Sequence, residues 1–270
     1  VWKQYRLSRK GEIMKYFISD LIVGMNHFKE FADRIDSLHD PDFGIEFTTF
    51  THDDKYWEEL CKTVAQMTCP MTFHGPYVQT EATADLASAE HERLMKNYEK
   101  VMVLASEYGV RHVVFHYSQL QFKPEDIEEK QKNAYAVMRD LTKRAKELGV
   151  HLVIENLCKQ VHNHHLFTNE EYFRIFENIP DAESLIDLGH AHVNGLDVEK
   201  FLKTYGARVK GFHVHNNDGR SDQHLDYHKG TADIKKMLGL AGKYTKDANI
   251  VLEYEPHEHL THEDILKEIS

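Results

Sequence analysis

The hydrophobic pattern of the chain alternates between short apolar runs and longer segments with helical periodicity. The apolar runs predict eight strands, over residues 16–22, 44–49, 71–74, 112–116, 151–155, 184–188, 209–215 and 250–253. The segments between them carry apolar residues at i, i+3 and i+4, or strong helix formers, and predict helices over residues 26–38, 54–67, 87–108, 124–148, 169–177, 198–205, 232–244 and 261–269. Strands that alternate with helices in this way form parallel sheets.

The number of strand–helix pairs predicts the fold class. Eight pairs in a chain of 270 residues are typical of a (β/α)8 TIM barrel, and a doubly wound sheet is the alternative. Composition does not change along the chain, so we expect a single domain over residues 14–270. Residues 1–13 are basic and polar and precede a natural-looking start at Met14, so we expect them to be an upstream extension or residues added for expression.

The chain carries no sign of a membrane span, a secretory signal or a disulfide framework. No apolar run reaches the length needed to cross a bilayer, and the N-terminus lacks the apolar segment of a signal peptide. Cys61, Cys69 and Cys158 are too scattered for a disulfide framework or a CxxC zinc site. These features predict a cytoplasmic protein.

Metal-ligand residue types end six consecutive predicted strands, where buried parallel strands are normally apolar. They are His74, His116, Glu155, Asp187, His215 and Glu253. Their spacings of 42, 39, 32, 28 and 38 residues correspond to one strand–helix unit each. The carboxyl-terminal strand ends of a barrel meet at one mouth, which is where barrel active sites lie. One such residue is more often structural, but six in register indicate a shared site.

The residue types at this mouth predict a bound cation. Three carboxylates buried together are strongly unfavourable unless positive charge compensates them. Carboxylates and imidazoles together suit zinc, manganese or cobalt. His190, Asp222 and His224 follow the sixth and seventh strands and bring the candidate ligands to nine, more than one ion needs. The set would suit two or three ions. His213, two residues before His215, is an alternative ligand to it.

Motifs along nearly the whole chain resemble the xylose isomerase-like barrel superfamily, which contains endonuclease IV and the sugar phosphate isomerases and epimerases. They are FHGPY (73–77), VVFH (113–116), VIEN (153–156), LIDLGHAHVNG (185–195), HVHNNDG (213–219), DQH (222–224) and VLE (251–253). The resemblance to endonuclease IV implies three zinc ions on all nine candidate ligands. The resemblance to the epimerases implies one divalent ion, zinc, manganese, cobalt or magnesium, on Glu155, Asp187, His215 and Glu253.

Two reactions follow from this resemblance. In an isomerase or epimerase, Glu155 and Glu253 would act as acid and base in proton transfer beside the metal. His190 and Arg220 would contact the substrate, and Tyr77 and Trp57 are further candidates for substrate contacts. In a phosphodiesterase, a metal-bridging hydroxide would attack phosphorus. Another metal-dependent carbohydrate reaction, such as a lyase or dehydratase reaction, is a third alternative.

Charge favours a small polar substrate, a sugar or sugar phosphate, over a nucleic acid. The chain has 33 Lys and Arg against 44 Asp and Glu, a net charge of −11. The segments 50–59 and 77–85, which follow the second and third strands, are acid-rich, and Gln223 stands where the DNA enzymes as a rule carry a basic residue. Phosphate neutralisation needs Lys and Arg. The sequence therefore predicts a metal-dependent sugar isomerase or epimerase, and it is compatible with a homo-oligomer.

Overall fold

The computed structural model describes residues 14–118, 120–158 and 166–255. Eight parallel strands form a closed barrel in the order β1-β2-β3-β4-β5-β6-β7-β8. Their bounds are β1 Tyr16–Ser19, β2 Phe43–Thr48, β3 Met71–His74, β4 Val113–Phe115, β5 Leu152–Glu155, β6 Glu183–Asp187, β7 Val209–Val214 and β8 Asn249–Leu252. The predicted (β/α)8 barrel is confirmed.

Helices connect successive strands around the outside of this barrel. Their bounds are α1 Phe28–Asp36, α2 Asp54–Val64, α3 Ala89–Tyr108, α4 Ile127–Leu148, α5 Asn169–Asn178, α6 Leu188–Asn194, α7 Val198–Tyr205 and α8 Ile234–Tyr244. A capping box of Thr168 and Glu171 starts α5, and Gly109 and Gly149 end α3 and α4 in the left-handed conformation. None of the described helices is long and apolar enough to cross a membrane.

The structure differs from the predicted elements at two strand ends. The first predicted strand was too long, because the backbone turns into a 3-10 helix at Asp20–Ile22 after Ser19 accepts a hydrogen bond from the Leu21 N–H. The sixth predicted strand included Leu188, which is the first residue of α6. The helix begins there because Asp187 ends β6 and caps α6. The predicted helix 261–269 and the N-terminal segment 1–13 lie outside the described residues.

Alternate residues of the strands face two different environments. Outward-facing side chains such as Phe47, Phe115 and Phe212 join the large apolar core between barrel and helices. Facing inward, Val114, Val153 and Leu185 form a separate small apolar cluster. The other inward positions include a buried polar group, consisting of Glu46, Thr72, His112, His213 and Asn249. The barrel interior is therefore polar well below its mouth.

Strand β2 passes so close to the residue before β3 that one position admits only glycine. A Cβ added at Gly44 would lie 1.8 Å from the carbonyl oxygen of Pro70 and 3.0 Å from the ring of Phe17. Neither the backbone oxygen nor the buried ring has room to move, since Phe17 is fully buried. This close approach fixes the spacing of β2 and β3 at the amino-terminal end of the barrel.

We expect Gly44→Ala to destabilise the protein by at least about 1–3 kcal/mol, the usual cost of overpacking a core. Urea unfolding followed by circular dichroism measures this free energy. Gly239→Ala in α8 is the matched control, because a Cβ there meets nothing within 4 Å. Alanine in a helix interior is favoured over glycine by about 0.5–1 kcal/mol, so this variant should be slightly more stable. Equal stability of the two variants would contradict the close approach.

Candidate metal centre

The strand ends place the predicted ligands in three neighbouring groups at the carboxyl-terminal mouth of the barrel. The first group is His74, His116 and Glu155, from β3 to β5. Nε2 of His116 donates to Oε2 of Glu155 at 2.7 Å, and the rings of His74 and His116 lie edge to face at 4.6 Å. One potential ligand atom from each residue lies within 4.8 Å of the others. This spacing is compatible with binding to one ion.

The second group lies on the other side of the mouth, where the segments after β6 and β7 meet. Its members are His190, Asp222 and His224, with His215 beside them. Oδ2 of Asp222 accepts from Nε2 of His190 at 3.0 Å and from Nε2 of His224 at 3.2 Å. The rings of His215 and His224 stack at 3.9 Å. Asp222 is the most exposed member, with 30% of its side chain accessible.

A third group joins the first two at the centre of the mouth. It consists of Asp187, His215 and Glu253, all buried. Nε2 of His215 lies 3.0 Å from Oδ2 of Asp187. With this group, all nine predicted ligands lie at one site. Their role as ligands remains a prediction.

Short local contacts hold the central residues in place. Asp187 caps α6 by accepting from the N–H of His190 at 2.6 Å, which sets the position of His190 above β6. The side chain of Asn156 pairs with the backbone of Asp187, accepting from its N–H at 2.8 Å and donating to its carbonyl at 3.0 Å. Gly189 lies between Asp187 and His190 in the chain, and a Cβ added there would lie 2.0 Å from the His215 ring. Any side chain there would displace that imidazole.

Buried charges of opposite sign shift the pKa values at this site. Burial alone would raise the pKa of Glu155, but His116 and His213 hold it well below its usual range. Burial would lower the pKa of His190, but Asp187 and Asp222 hold it well above its usual range. The pKa of His224 is raised to about 9, because its hydrogen bond to Asp222 and the charge of Glu253 outweigh its burial. The site thus combines a carboxylate of lowered pKa, Glu155, with two imidazoles of raised pKa, His190 and His224.

The ring orientations fit a divalent cation. Nδ1 of His74 donates to the carbonyl of Gly75, and Nδ1 of His224 donates to the carbonyl of Glu253, both at 3.0 Å. Metal-binding histidines commonly donate one ring N–H to such an acceptor, so that the other nitrogen is oriented toward the ion. Nδ1 of His116 and of His215 is buried without a hydrogen-bond partner. A cation bound here would replace the protons that now compensate the carboxylates.

Two buried residues beneath the mouth, Glu46 and His213, belong to the same charge network. The sequence does not single out Glu46 and indicates His213 only as a second choice of ligand. Glu46, in the middle of β2, is fully buried, and His112 and His213 outweigh the effect of burial and lower its pKa to about 2. His213 was considered only as an alternative to His215. Its Nδ1 lies 3.1 Å from Oε2 of Glu253 and 3.6 Å from Oε2 of Glu155. A lone acid in the apolar run GIEF was the available sequence signal for Glu46.

A cavity of about 220 Å³ opens above the candidate ligands. Seven predicted ligands line it, together with mainly apolar side chains from the loops: Leu21, Tyr77, Tyr117, Leu120, Leu157, Leu166 and Phe167. No Lys or Arg is among the described residues that line it. The cavity accordingly has ionisable groups at its base and largely apolar walls.

Of the predicted substrate contacts, the structure places Tyr77 and His190 at the cavity but not Trp57 or Arg220. Tyr77 packs edge to face against His74 at 5.2 Å. The ring of Trp57 lies on α2, 4.4 Å from the ammonium of Lys100, and is not among the described residues that line the cavity. Arg220 is exposed in the turn after β7, where its N–H bonds to Asp218, and does not line the cavity.

The fold and the clustered ligand types define a (β/α)8 barrel with a candidate metal centre at its mouth. Within that class, the chain matches the xylose isomerase-like TIM barrel family over residues 39–269 and belongs to it. It is 27% identical over 165 residues to an uncharacterized protein of Methanocaldococcus jannaschii. That match spans 57% of this chain and 63% of the relative, less than two thirds of the relative's length.

Solved structures with the same fold include proteins of both predicted kinds. A D-tagatose 3-epimerase-like protein has a TM-score of 0.75 at 18% identity, over 94% of this chain and 96% of that one. A family 2 AP endonuclease from Brucella melitensis has a TM-score of 0.70 at 14% identity, over 90% and 94%. The IOLI protein, solved with a zinc atom, has a TM-score of 0.68 at 15% identity, over 90% of each chain.

A separate buried acid lies next to this site. Asp20 follows β1, and its Oδ1 accepts from the N–H of Thr48 at 2.9 Å and from the Thr48 hydroxyl at 2.7 Å. Burial outweighs these hydrogen bonds and raises the pKa of Asp20 from 3.8 to about 7. Thr48 lines the cavity, whereas Asp20 does not. Asp20 therefore supports the cavity wall without reaching its interior.

The raised pKa of Asp20 predicts a pH dependence of stability. The folded state binds the Asp20 proton more tightly than the unfolded state, so this contribution is complete below pH 3.8 and is lost as the pH rises through about 7. The loss amounts to as much as about 4 kcal/mol, at about 1.4 kcal/mol per pKa unit. We expect Asp20→Asn, measured by urea unfolding of chelator-treated protein, to gain stability relative to wild type across this pH range. Parallel stability curves would contradict the burial of an ionisable carboxyl.

Proposed function

We propose that this protein is a divalent-metal-dependent isomerase or epimerase of a sugar or sugar phosphate. The observation that carries the proposal is the pairing of two buried carboxylates, Glu155 and Glu253, in the lining of a small cavity. They come from β5 and the end of β8, and both lie beside Nδ1 of His213. Two ionised carboxylates that face one substrate are suited to removing and returning a proton.

A divalent cation held by Glu155, Asp187, His215 and Glu253 would polarise a carbonyl group when bound. Glu155 accepts a proton from the carbon next to that carbonyl, and the C–H electron pair moves toward the carbonyl oxygen to give an enediolate. Glu155 returns this proton to the neighbouring carbon, which gives the isomer. Alternatively Glu253, which starts ionised, takes up a proton from solvent and delivers it to the opposite face, which gives the epimer, and Glu155 then releases its proton to solvent. The low pKa of each carboxylate keeps it ionised as a base before the reaction. His190 donates a hydrogen bond to a substrate oxygen.

The lining of the cavity supports a small substrate. Its volume is about 220 Å³, and none of the described residues that line it is a Lys or Arg that could contact a phosphate backbone. Aromatic and aliphatic side chains such as Tyr117, Leu157 and Phe167 suit the C–H faces of a sugar. The D-tagatose 3-epimerase-like structure makes a ketohexose the first substrate to test.

Proton transfer at carbon predicts exchange with the solvent. We expect the metal-loaded protein, incubated with D-tagatose and related ketoses in deuterium oxide, to place deuterium on carbon, as read by NMR or mass spectrometry. Glu155→Gln and Glu253→Gln should each lower this rate by at least about 100-fold, since acid–base groups contribute about 10²–10⁴-fold. Trp57→Phe and Arg220→Ala are matched controls that should remain close to wild type, because neither residue lines the cavity. Full activity of Glu155→Gln would contradict the assignment.

One observation favours a second candidate, a three-zinc phosphodiesterase acting on abasic DNA or another phosphoester. The nine predicted ligands form several overlapping groups rather than one, with His74, His116 and Glu155 on one side and His190, Asp222 and His224 on the other. A mononuclear isomerase needs only the central group together with Glu155. Several ions at about 3.5–4 Å can stabilise both the attacking and the leaving oxygen of a phosphoester.

The two candidates predict different metal counts and products. For the isomerase, we expect one tightly held, exchangeable divalent ion in purified protein and no cleavage of bis(p-nitrophenyl) phosphate or of an abasic-site oligonucleotide. Elemental analysis and product chromatography check these outcomes. Three tightly held zinc ions together with phosphoester cleavage, and no deuterium exchange into ketoses, would replace the isomerase with the phosphodiesterase.

A further inference from the structure

Glu46 is the deepest carboxylate of the barrel interior, and its surroundings are built to hold it. Its side chain is fully buried in the middle of β2. Oε2 accepts from the hydroxyl of Thr72 at 3.0 Å and lies 3.4 Å from Nε2 of His112. His112 is fixed in turn by Asn249, whose amide lies 3.0 Å from Nδ1 of His112. A carboxylate this deep is strongly unfavourable unless such partners compensate it.

The other oxygen of Glu46 faces the ring of His213. Oε1 of Glu46 lies 3.0 Å from Nε2 of His213, and Nδ1 on the far side of the ring lies 3.1 Å from Oε2 of Glu253. The same Nδ1 lies 3.6 Å from Glu155 and 3.8 Å from Asp187. One fully buried imidazole therefore connects Glu46 below to three carboxylates of the candidate metal centre above.

We propose that Glu46 and His213 form a positioning pair beneath the metal centre, in which Glu46 anchors Nε2 of His213 so that Nδ1 holds Glu253 and Glu155 in the orientation that binds the ion. His213 does not line the cavity, so it acts through these carboxylates and not on substrate. The inference rests on the metal centre of the proposed function and is independent of the substrate.

The alternative role for His213 is direct ligation in place of His215. His215 lies two residues further along the chain, nearer the mouth, and its Nε2 faces Asp187 and Asp222. Nε2 of His213 lies 3.0 Å from Oε1 of Glu46, on the side away from the mouth, and Nδ1 lies 3.1 Å from Oε2 of Glu253; these are ion-pair distances, and neither nitrogen makes a hydrogen bond within the described part of the chain. A histidine that ligates a metal uses one ring nitrogen, whereas a histidine that positions two carboxylates on opposite sides uses both ring nitrogens. The two roles differ in what removal of Glu46 does to the bound ion.

Cobalt(II) titration of chelator-treated protein at one fixed pH tests the pair, with visible absorption as the readout. We expect Glu46→Gln to weaken binding of the tightest cobalt ion about 10–100-fold, the usual effect of removing a group that orients ligands. The absorption intensity per bound ion should stay unchanged, because the ligands themselves remain. Asp20→Asn is the matched control, since it neutralises another buried acid that does not contact His213, and it should bind cobalt as wild type does.

Two further variants separate positioning from ligation and from simple misfolding. We expect His213→Gln to weaken binding with the same absorption intensity, and the double variant Glu46→Gln/His213→Gln to bind no more weakly than His213→Gln alone. Thr72→Val, which removes only the hydroxyl bound to Glu46, should weaken binding less than Glu46→Gln. Cooperative thermal unfolding of each metal-free variant confirms that it is folded, and Thr72→Val keeps the test valid if a histidine variant does not fold.

The outcomes are distinct. Wild-type cobalt affinity in Glu46→Gln, or additive losses in the double variant, would overturn the positioning pair. A changed absorption intensity in His213→Gln alone would overturn it in favour of His213 as a ligand. Failure of the wild-type protein to bind cobalt would overturn the metal centre itself, whereas failure to act on any sugar would leave the pair intact.

Discussion

The barrel interior depends on the compensation of negative charge on carboxylates that are almost completely buried. Glu46, Glu155, Asp187 and Glu253 are all almost completely buried around one axis. Like charges so close in a low-dielectric interior would repel one another strongly. Imidazoles are the only positive groups that contact them among the described residues, and each histidine is arranged to face at least one carboxylate. The fold is stable as a barrel because this balance is met.

Because of the (β/α)8 topology, ligand residues that are regularly spaced in the sequence lie close together in space, where their charges compensate one another. Each strand from β3 to β8 ends at or directly before one predicted ligand at the mouth, and the residue two positions earlier points into the interior below it. In β7 this places His213 beneath His215, and in β3 it places Thr72 beneath His74. Helix α6 then supplies His190, and the loop after β7 supplies Asp222 and His224. The positions of the groups that matter most are therefore set by strand register, which is rigid, and not by loop conformation.

Much of this architecture could be predicted from the sequence, because its signals are periodic. The barrel and the clustering of six candidate ligands follow from apolar runs that each end in a ligand type, and the other three lie shortly after the sixth and seventh of these runs. What could not be predicted depends on contacts between distant segments. Trp57 was a candidate substrate contact, but its ring lies against the ammonium of Lys100, a residue of α3 that is distant in the sequence. Glu46 looked like one polar residue in a strand, because its partners Thr72, His112 and His213 lie 26, 66 and 167 residues away.

The interior of the barrel is also uneven around its axis. On the β4–β6 side it is filled by Val114, Val153 and Leu185, while β2, β3, β7 and β8 contribute Glu46, Thr72, His213 and Asn249. Apolar contacts weaken on cooling, whereas the cost of desolvating ion pairs falls on heating. Cooling therefore weakens both sides of the barrel, whereas acid acts only on the side that carries ionisable groups. Acid should loosen the side formed by β2, β3, β7 and β8 while the apolar cluster of β4–β6 stays packed.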